Sequence, residues 1–184
     1  MTTPINVLAF TGSLRQKSYN RSALFAARDL APEGVSVAVY ELADIPPFNE
    51  DFETHPPEPV RDFKHRIAAA DALLVSTPEY NHSIPGVLKN AIDWASRPAA
   101  TTPLNGKPLG IMGCTTGPWG TARAQMALRL IAVSVNMHTL NRPFVQIAQA
   151  ATKFDADGRL TDEPTRQQIH TLMQALAAWA RKLK

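Results

Sequence analysis

The chain has 184 residues, 45% hydrophobic and 19% charged, with 19 basic against 16 acidic side chains and a net charge of +3. That length fits a single domain, residues 1–184, that buries on the order of 70% of its unfolded surface without disulfides or metals. There is no run of five like charges, no apolar stretch near the roughly eighteen residues of a membrane span, and one cysteine, Cys114. This argues against a nucleic-acid footprint, a membrane protein and a disulfide framework, and for a cytoplasmic one.

The opening MTTPINVLAF lacks the basic n-region and long apolar run of a secretory signal. Within it, INVLAF reads as a buried strand. A helix is expected from about Asn20 to Ala31, with Ala23, Leu24, Ala27 and Leu30 as its apolar stripe, stopped by Pro32–Gly34. VSVAVYEL alternates and is β-branched, as a second strand should be. Residues 43–59, rich in proline and acid, read as a long surface loop. A helix over roughly Val60–Ala70 follows, carrying Phe63, Ile67 and Ala70 inward. Ala72–Ser76 is a third, wholly apolar strand, and IPGVLKNAIDWAS a helix with Pro85 near its first turn, where a missing N–H costs little. Its core face is Val87, Leu88, Ala91, Ile92 and Ala95. A fourth strand spans Pro108–Gly113, a fourth helix about Thr121–Val135, and a weak fifth strand lies within MHTLNRPFVQI. The last helix starts near Thr161 and ends in ARKLK, its cations where the helix dipole favours them.

Five strands alternating with five helices, the strands continuously apolar, make an α/β fold: a parallel sheet between two helical layers, joined by right-handed crossovers. With strand order 2-1-3-4-5, the first and third strands flank the switch point, where such sheets bind ligands beyond the carboxyl ends of their strands.

Three loops fall there. GSLRQKSYN follows the first strand and offers the Ser13 and Ser18 hydroxyls, the Arg15 and Lys17 cations, the Asn20 amide and a helix N-terminus, all donors to phosphate. Gly12 is read as allowing a sharp turn. Neither G-x-G-x-x-G nor G-x-x-x-x-G-K is present, so a terminal monophosphate held mainly by side chains fits better than a dinucleotide or a triphosphate. The competing reading is that Ser18 or Asn20 simply caps the helix, with Arg15 and Lys17 solvated. STPEYNHSIPG, after the third strand, is irregular and polar enough to cradle a flat ring, or else to cap the next helix through Ser83. CTTGPWGTARAQ, after the fourth, has Gly117 and Gly120 for close backbone approach and Trp119 either to stack on a ring or to close an apolar edge.

GSLRQKSYN, IPPFNED, PEYNHSIPGVLKNAIDW and GTARAQ followed by LNRP together resemble the NAD(P)H-dependent FMN reductase family, in its bacterial quinone and chromate reductase branch, over nearly the whole chain. The resemblance implies a flavodoxin-like fold and noncovalent FMN. It implies hydride transfer from NADH or NADPH to that FMN, then electron transfer to quinones or a similar small-molecule acceptor such as flavin, azo compounds or chromate. It assigns Ser13, Arg15, Ser18 and Asn20 to the phosphate, with Tyr19 among the cofactor-binding residues. Pro78, Glu79, Tyr80 and Asn81 line the ring, largely through backbone, and Thr115, Thr116 and Gly117 complete the cradle. It also implies a homodimer, or a tetramer, with the 43–59 loop and exposed aromatics near IDWASRP as candidate contacts. Two departures stand out: TTGPWGT where many members have a glycine-rich run, and Phe144 after Asn141-Arg142-Pro143 where close relatives carry an acidic residue associated with subunit contacts.

No Cys–His, Ser–His–Asp or H-E-x-x-H pattern is present, so no side-chain nucleophile, general base or metal is expected; flavin chemistry needs only orientation and access. Cys114 reads as a small buried hydrophobe, His82 as a surface histidine, Trp94 and Trp179 as core or interface residues. The alternatives are a flavodoxin-type electron carrier or a flavin-binding regulator without turnover. Carriers are usually acidic, and this chain is basic.

Overall fold

The structure is a computed structural model and describes residues 3–184. Its elements run β1 (Ile5–Thr11), α1 (Tyr19–Asp29), β2 (Val35–Tyr40), α2 (Glu58–Ala69), β3 (Ala72–Ser76), α3 (Gly86–Ala95), β4 (Pro108–Cys114), α4 (Ala122–Ser134), β5 (His138–Thr139), β6 (Val145–Ile147) and α5 (Glu163–Leu183). All strands pair in parallel, in the order β2-β1-β3-β4-β5, and β6 also pairs with β4. The expected five-stranded order holds, with one difference at its edge. The fifth position is filled by two short strands, β5 against Pro108–Leu109 and β6 against Met112–Cys114. Pro143 lies between them; it has no N–H to give to a ladder, so pairing stops and resumes at Val145.

Alternation along the strands divides the core in two. Leu8, Phe10, Leu73, Val75, Leu109 and Ile111 face the layer of α2, α3 and α4. Val7, Ala9, Leu74, Met112 and Cys114 face α1 and α5. Full burial of each large aliphatic side chain contributes about 1.5–3 kcal/mol. Phe10 and Phe63 meet edge to face at 5.3 Å, fixing α2 over the sheet.

The 43–59 segment is a surface loop, as expected, and is pinned to α3 at Pro46 and Phe48. Asn90 accepts from the Phe48 N–H at 2.7 Å and donates to the Pro46 carbonyl, and the Trp94 indole N–H donates to that same carbonyl at 2.8 Å. Trp94 is 2% exposed and set edge-on to Phe48, so of the two readings, core or interface, it is core, and it offers no subunit contact near IDWASRP. Gly12 is also explained differently from the sequence reading. A β-carbon there would lie 2.8 Å from Leu88 Cβ and 3.0 Å from Pro85 Cγ, so this glycine lets α3 pack against the end of β1.

Candidate active site

The loops after β1, β3 and β4 meet at the carboxyl end of the sheet, tied together by polar groups. Asn20 is the tie between the first and third. Its amide nitrogen donates to the Cys114 carbonyl at 2.9 Å, and its oxygen accepts from the Ser76 hydroxyl at 3.0 Å and the Cys114 N–H at 2.8 Å. The sequence reading gave Asn20 to the phosphate; in the structure this buried side chain clasps the ends of β3 and β4 under α1. Ser18 is the N-cap of α1, its hydroxyl accepting from the Arg21 N–H. The capping alternative therefore holds for Ser18.

What remains in the first loop is a set of free donors. Among the described residues, the backbone N–H groups of Leu14 through Asn20 have no protein acceptor, and Arg15 and Lys17 have no carboxylate partner. Arg15 lies over the Tyr19 ring at 5.5 Å, and that ring packs on Phe154. Unpaired amides at the start of a helix, two cations and the Ser13 hydroxyl form an anion cradle, and this donor set fits the phosphate of FMN.

The second loop is a tight hairpin. Tyr80 and Ser83 exchange backbone hydrogen bonds of 3.0 Å, and Asn81 (φ 50) and His82 (φ 64) turn the chain at its tip. Two left-handed residues between paired ones are the type I′ pattern, which asparagine tolerates well. Ser83 is thus a hairpin residue rather than a cap; α3 starts from Pro85 with no side-chain cap. Tyr80, Asn81 and His82 are exposed, and Pro78 is buried.

Glu79 reaches the third loop. One carboxylate oxygen accepts from the Arg123 and Ala124 N–H groups at 3.0 and 3.2 Å, and the other pairs with the Arg123 guanidinium at 3.3 Å. Thr121, the N-cap residue of α4, makes no side-chain cap, so Glu79 caps that helix from 44 residues away and answers its positive end. Arg123 also lies 5.1 Å from the Trp119 ring. That ring is 63% exposed, so Trp119 closes no apolar edge and stands free at the rim.

In the third loop, Thr115 donates its N–H to Ile147, accepts from Ala150 through its carbonyl, and accepts the Gly117 N–H on its hydroxyl. Thr116 is exposed beside it. Gly120 (φ +54) lies against the Gln146 backbone, so its freedom serves the fold. Sequence reading quoted GTARAQ without assigning Gln125. This residue, 1% exposed, donates to the Gly120 and Val145 carbonyls and to the Thr121 hydroxyl, locking the loop to β6. A polar residue among Ala124, Leu128 and Ala132 on the inward face of α4 is the signal for it. Cys114 is buried, and desolvation pushes its thiol far above the usual range, with Lys153 opposing only in part. It is no thiolate nucleophile.

A doubly wound parallel sheet of this order, with a loop of free donors at its switch point, defines a flavodoxin-like protein. The family model for NADPH-dependent FMN reductase matches residues 5–152. The chain is 49% identical over its full length, and the relative's, to an NAD(P)H-dependent FMN reductase of Pseudomonas aeruginosa. It is 40% identical to a 2-hydroxy-1,4-benzoquinone reductase of Burkholderia, covering 96% of this chain and 97% of that one. Among solved structures, the flavoenzyme NAD(P)H:(acceptor) oxidoreductase FerB of Paracoccus denitrificans superposes with a TM-score of 0.89 at 36% identity, over 97% of this chain and 98% of its own. This chain belongs to the NADPH-dependent FMN reductase family.

Proposed function

We propose that the protein is a cytoplasmic oxidoreductase that reduces quinones and similar small electron acceptors with NADPH or NADH through noncovalently bound FMN. The observation that carries this is the cradle of unpaired amides and uncompensated cations at residues 13–20, joined by Asn20 and Glu79 to two further loops. Bound FMN supplies the redox chemistry, accepting a hydride from the nicotinamide and passing electrons to the acceptor. The chain's own part is to bind and orient. Ser13, Arg15, Lys17 and the free amides hold the phosphate, with Ser18 and Tyr19 shaping the loop around it. Pro78, Glu79, Tyr80 and Asn81 present hairpin backbone to the ring, and Thr115, Thr116 and Gly117 close the opposite side. The exposed Tyr80 and Trp119 flank an open rim, which accords with a permissive acceptor site.

A homodimer is part of this reading. The outer face of α4 presents Met126, Leu130 and Val133, exposed at 62%, 73% and 73%, as an apolar stripe at helical spacing that supports a subunit contact. No described helix is long and apolar enough to cross a membrane. The buried single thiol fits a reducing compartment.

Anaerobic mixing tests the proposal. NADPH or NADH alone should bleach the yellow colour of the purified protein, and 1,4-benzoquinone should restore it with formation of one hydroquinone per flavin. Flavin that stays oxidised under excess NADPH and NADH would mark a carrier that needs a separate reductase, and the proposal would fall.

A further inference from the structure

A further depression lies outside the three-loop cradle. It is a groove of about 980 Å³ between the outer side of α1 and the turn at 155–160. It shares Arg15, Gln16, Lys17 and Tyr19 with the phosphate loop but none of Pro78–Asn81 or Thr115–Gly117, so it is not where the flavin ring goes. Its mouth is Arg15 and Lys17, and α1 carries it roughly 15 Å onward to Arg28, at 1.5 Å per residue.

Six of its lining residues are basic and three acidic. Phe25 lies along it, with the Arg21 and Arg28 guanidinium groups over its ring at 5.5 and 5.1 Å. The carboxylate partners along its length hold their cations loosely. Asp29 beside Arg28, Asp157 beside Arg159 and Glu163 beside Arg166 are 65%, 75% and 81% exposed, and such pairs contribute about 0–1 kcal/mol. These guanidinium groups are therefore free to turn to a stronger acceptor. Guanidinium planes stack on nucleobases and fork onto phosphate oxygens, so a positive groove with an aromatic wall suits a phosphorylated purine.

We infer that this groove takes the phosphorylated adenosine end of the nicotinamide co-substrate, which enters past Arg15 and Lys17 beside the flavin phosphate. The inference rests on the reading that NADPH or NADH reduces bound FMN, and adds where the remote end of that co-substrate is held.

The test is the Arg28→Ala, Arg159→Ala double variant as FMN-loaded holoenzyme. Both side chains are exposed and outside the flavin cradle. The KM for NADPH should rise about ten- to a hundred-fold, as for loss of charge-assisted contacts. FMN content and kcat at saturating NADPH should stay at wild-type values. Calorimetry with 2′,5′-ADP as probe should show binding to the wild-type holoenzyme and a loss of affinity of the same order in the variant. Unchanged KM and unchanged 2′,5′-ADP affinity would overturn the inference, as would a wild-type protein that binds no 2′,5′-ADP. If wild-type flavin is not reduced by either nicotinamide, the parent reading fails on its own, and the calorimetry still decides whether the groove binds the adenosine phosphate.

Discussion

Arg15→Ala should weaken FMN binding about ten- to a hundred-fold, because a charge-assisted bond to phosphate contributes roughly 1.5–3 kcal/mol and about 1.4 kcal/mol is a factor of ten. Arg15 is the natural target. It has no carboxylate partner among the described residues, and its only aromatic contact is the Tyr19 ring at 5.5 Å. Removing it therefore breaks no ion pair that the fold uses. The apoprotein should melt at the wild-type temperature while the holoprotein loses colour on dilution, and added FMN should restore most of the turnover. Fluorescence titration of FMN into the apoprotein measures the change. An unaltered Kd would mean that the phosphate is held elsewhere.

Gly113→Ala should be strongly destabilising, the most crowded of the glycine-to-alanine changes among the described residues. A β-carbon at Gly113 would sit 2.0 Å from the Thr121 hydroxyl oxygen and 2.4 Å from the Thr77 carbonyl oxygen. Neither neighbour has room to yield. Thr77 and Thr121 are fully buried; Thr121 is held at φ 62 and its hydroxyl takes a bond from Gln125. Overpacking costs about 1–3 kcal/mol in most cores, and the crowding here puts this substitution at the upper end. For a chain of this size each kcal/mol moves the melting temperature by about 2–4 °C, so a fall of about 6–12 °C is expected. FMN should be lost with it, because Thr77 begins the second loop and Thr121 ends the third. Gly110→Ala is the control: its β-carbon would meet the ends of the Leu176 and Leu74 side chains at 3.0 and 3.3 Å, and these flexible groups can move aside. Thermal melts with and without FMN compare the two. A Gly113→Ala protein with wild-type melting and colour would show that the junction of β4 with the loops is not the rigid point described here.

What the sequence made legible was whatever depends on local pattern. Ala72–Ser76 is a strand with the expected bounds because an apolar run between polar residues has no other good solution at that length. The inward stripe of α3 follows from spacing alone: Leu88, Ala91, Ile92 and Ala95 are buried, and Val87 is partly buried against them. The donor-rich loop after β1 was legible because its donors are contiguous. What escaped was set by partners distant in the chain. Asn20 looks like a phosphate donor until β3 and β4 are brought beside it, 56 and 94 residues on. Glu79 reads as a ring contact until α4 is seen to lack a cap of its own. Trp94 reads as core or interface, and nothing local decides between them, because the Pro46 and Phe48 that fold back over it lie in the chain's first third. The split of the fifth strand was written in Pro143, but placing both halves on β4 needed the register.

The central claim is that this chain catalyses by holding FMN in place, with no side chain acting as acid, base or nucleophile. His82, at the exposed tip of the hairpin, is the titratable residue best placed to contradict it. The decisive measurement is stopped-flow reduction of FMN-saturated His82→Ala by NADPH and by NADH. The account predicts a hydride-transfer rate within about ten-fold of wild type, since losing a true general acid or base costs roughly 10²–10⁴. A variant that keeps its full complement of FMN yet slows a thousand-fold would contradict the account and assign His82 a chemical role.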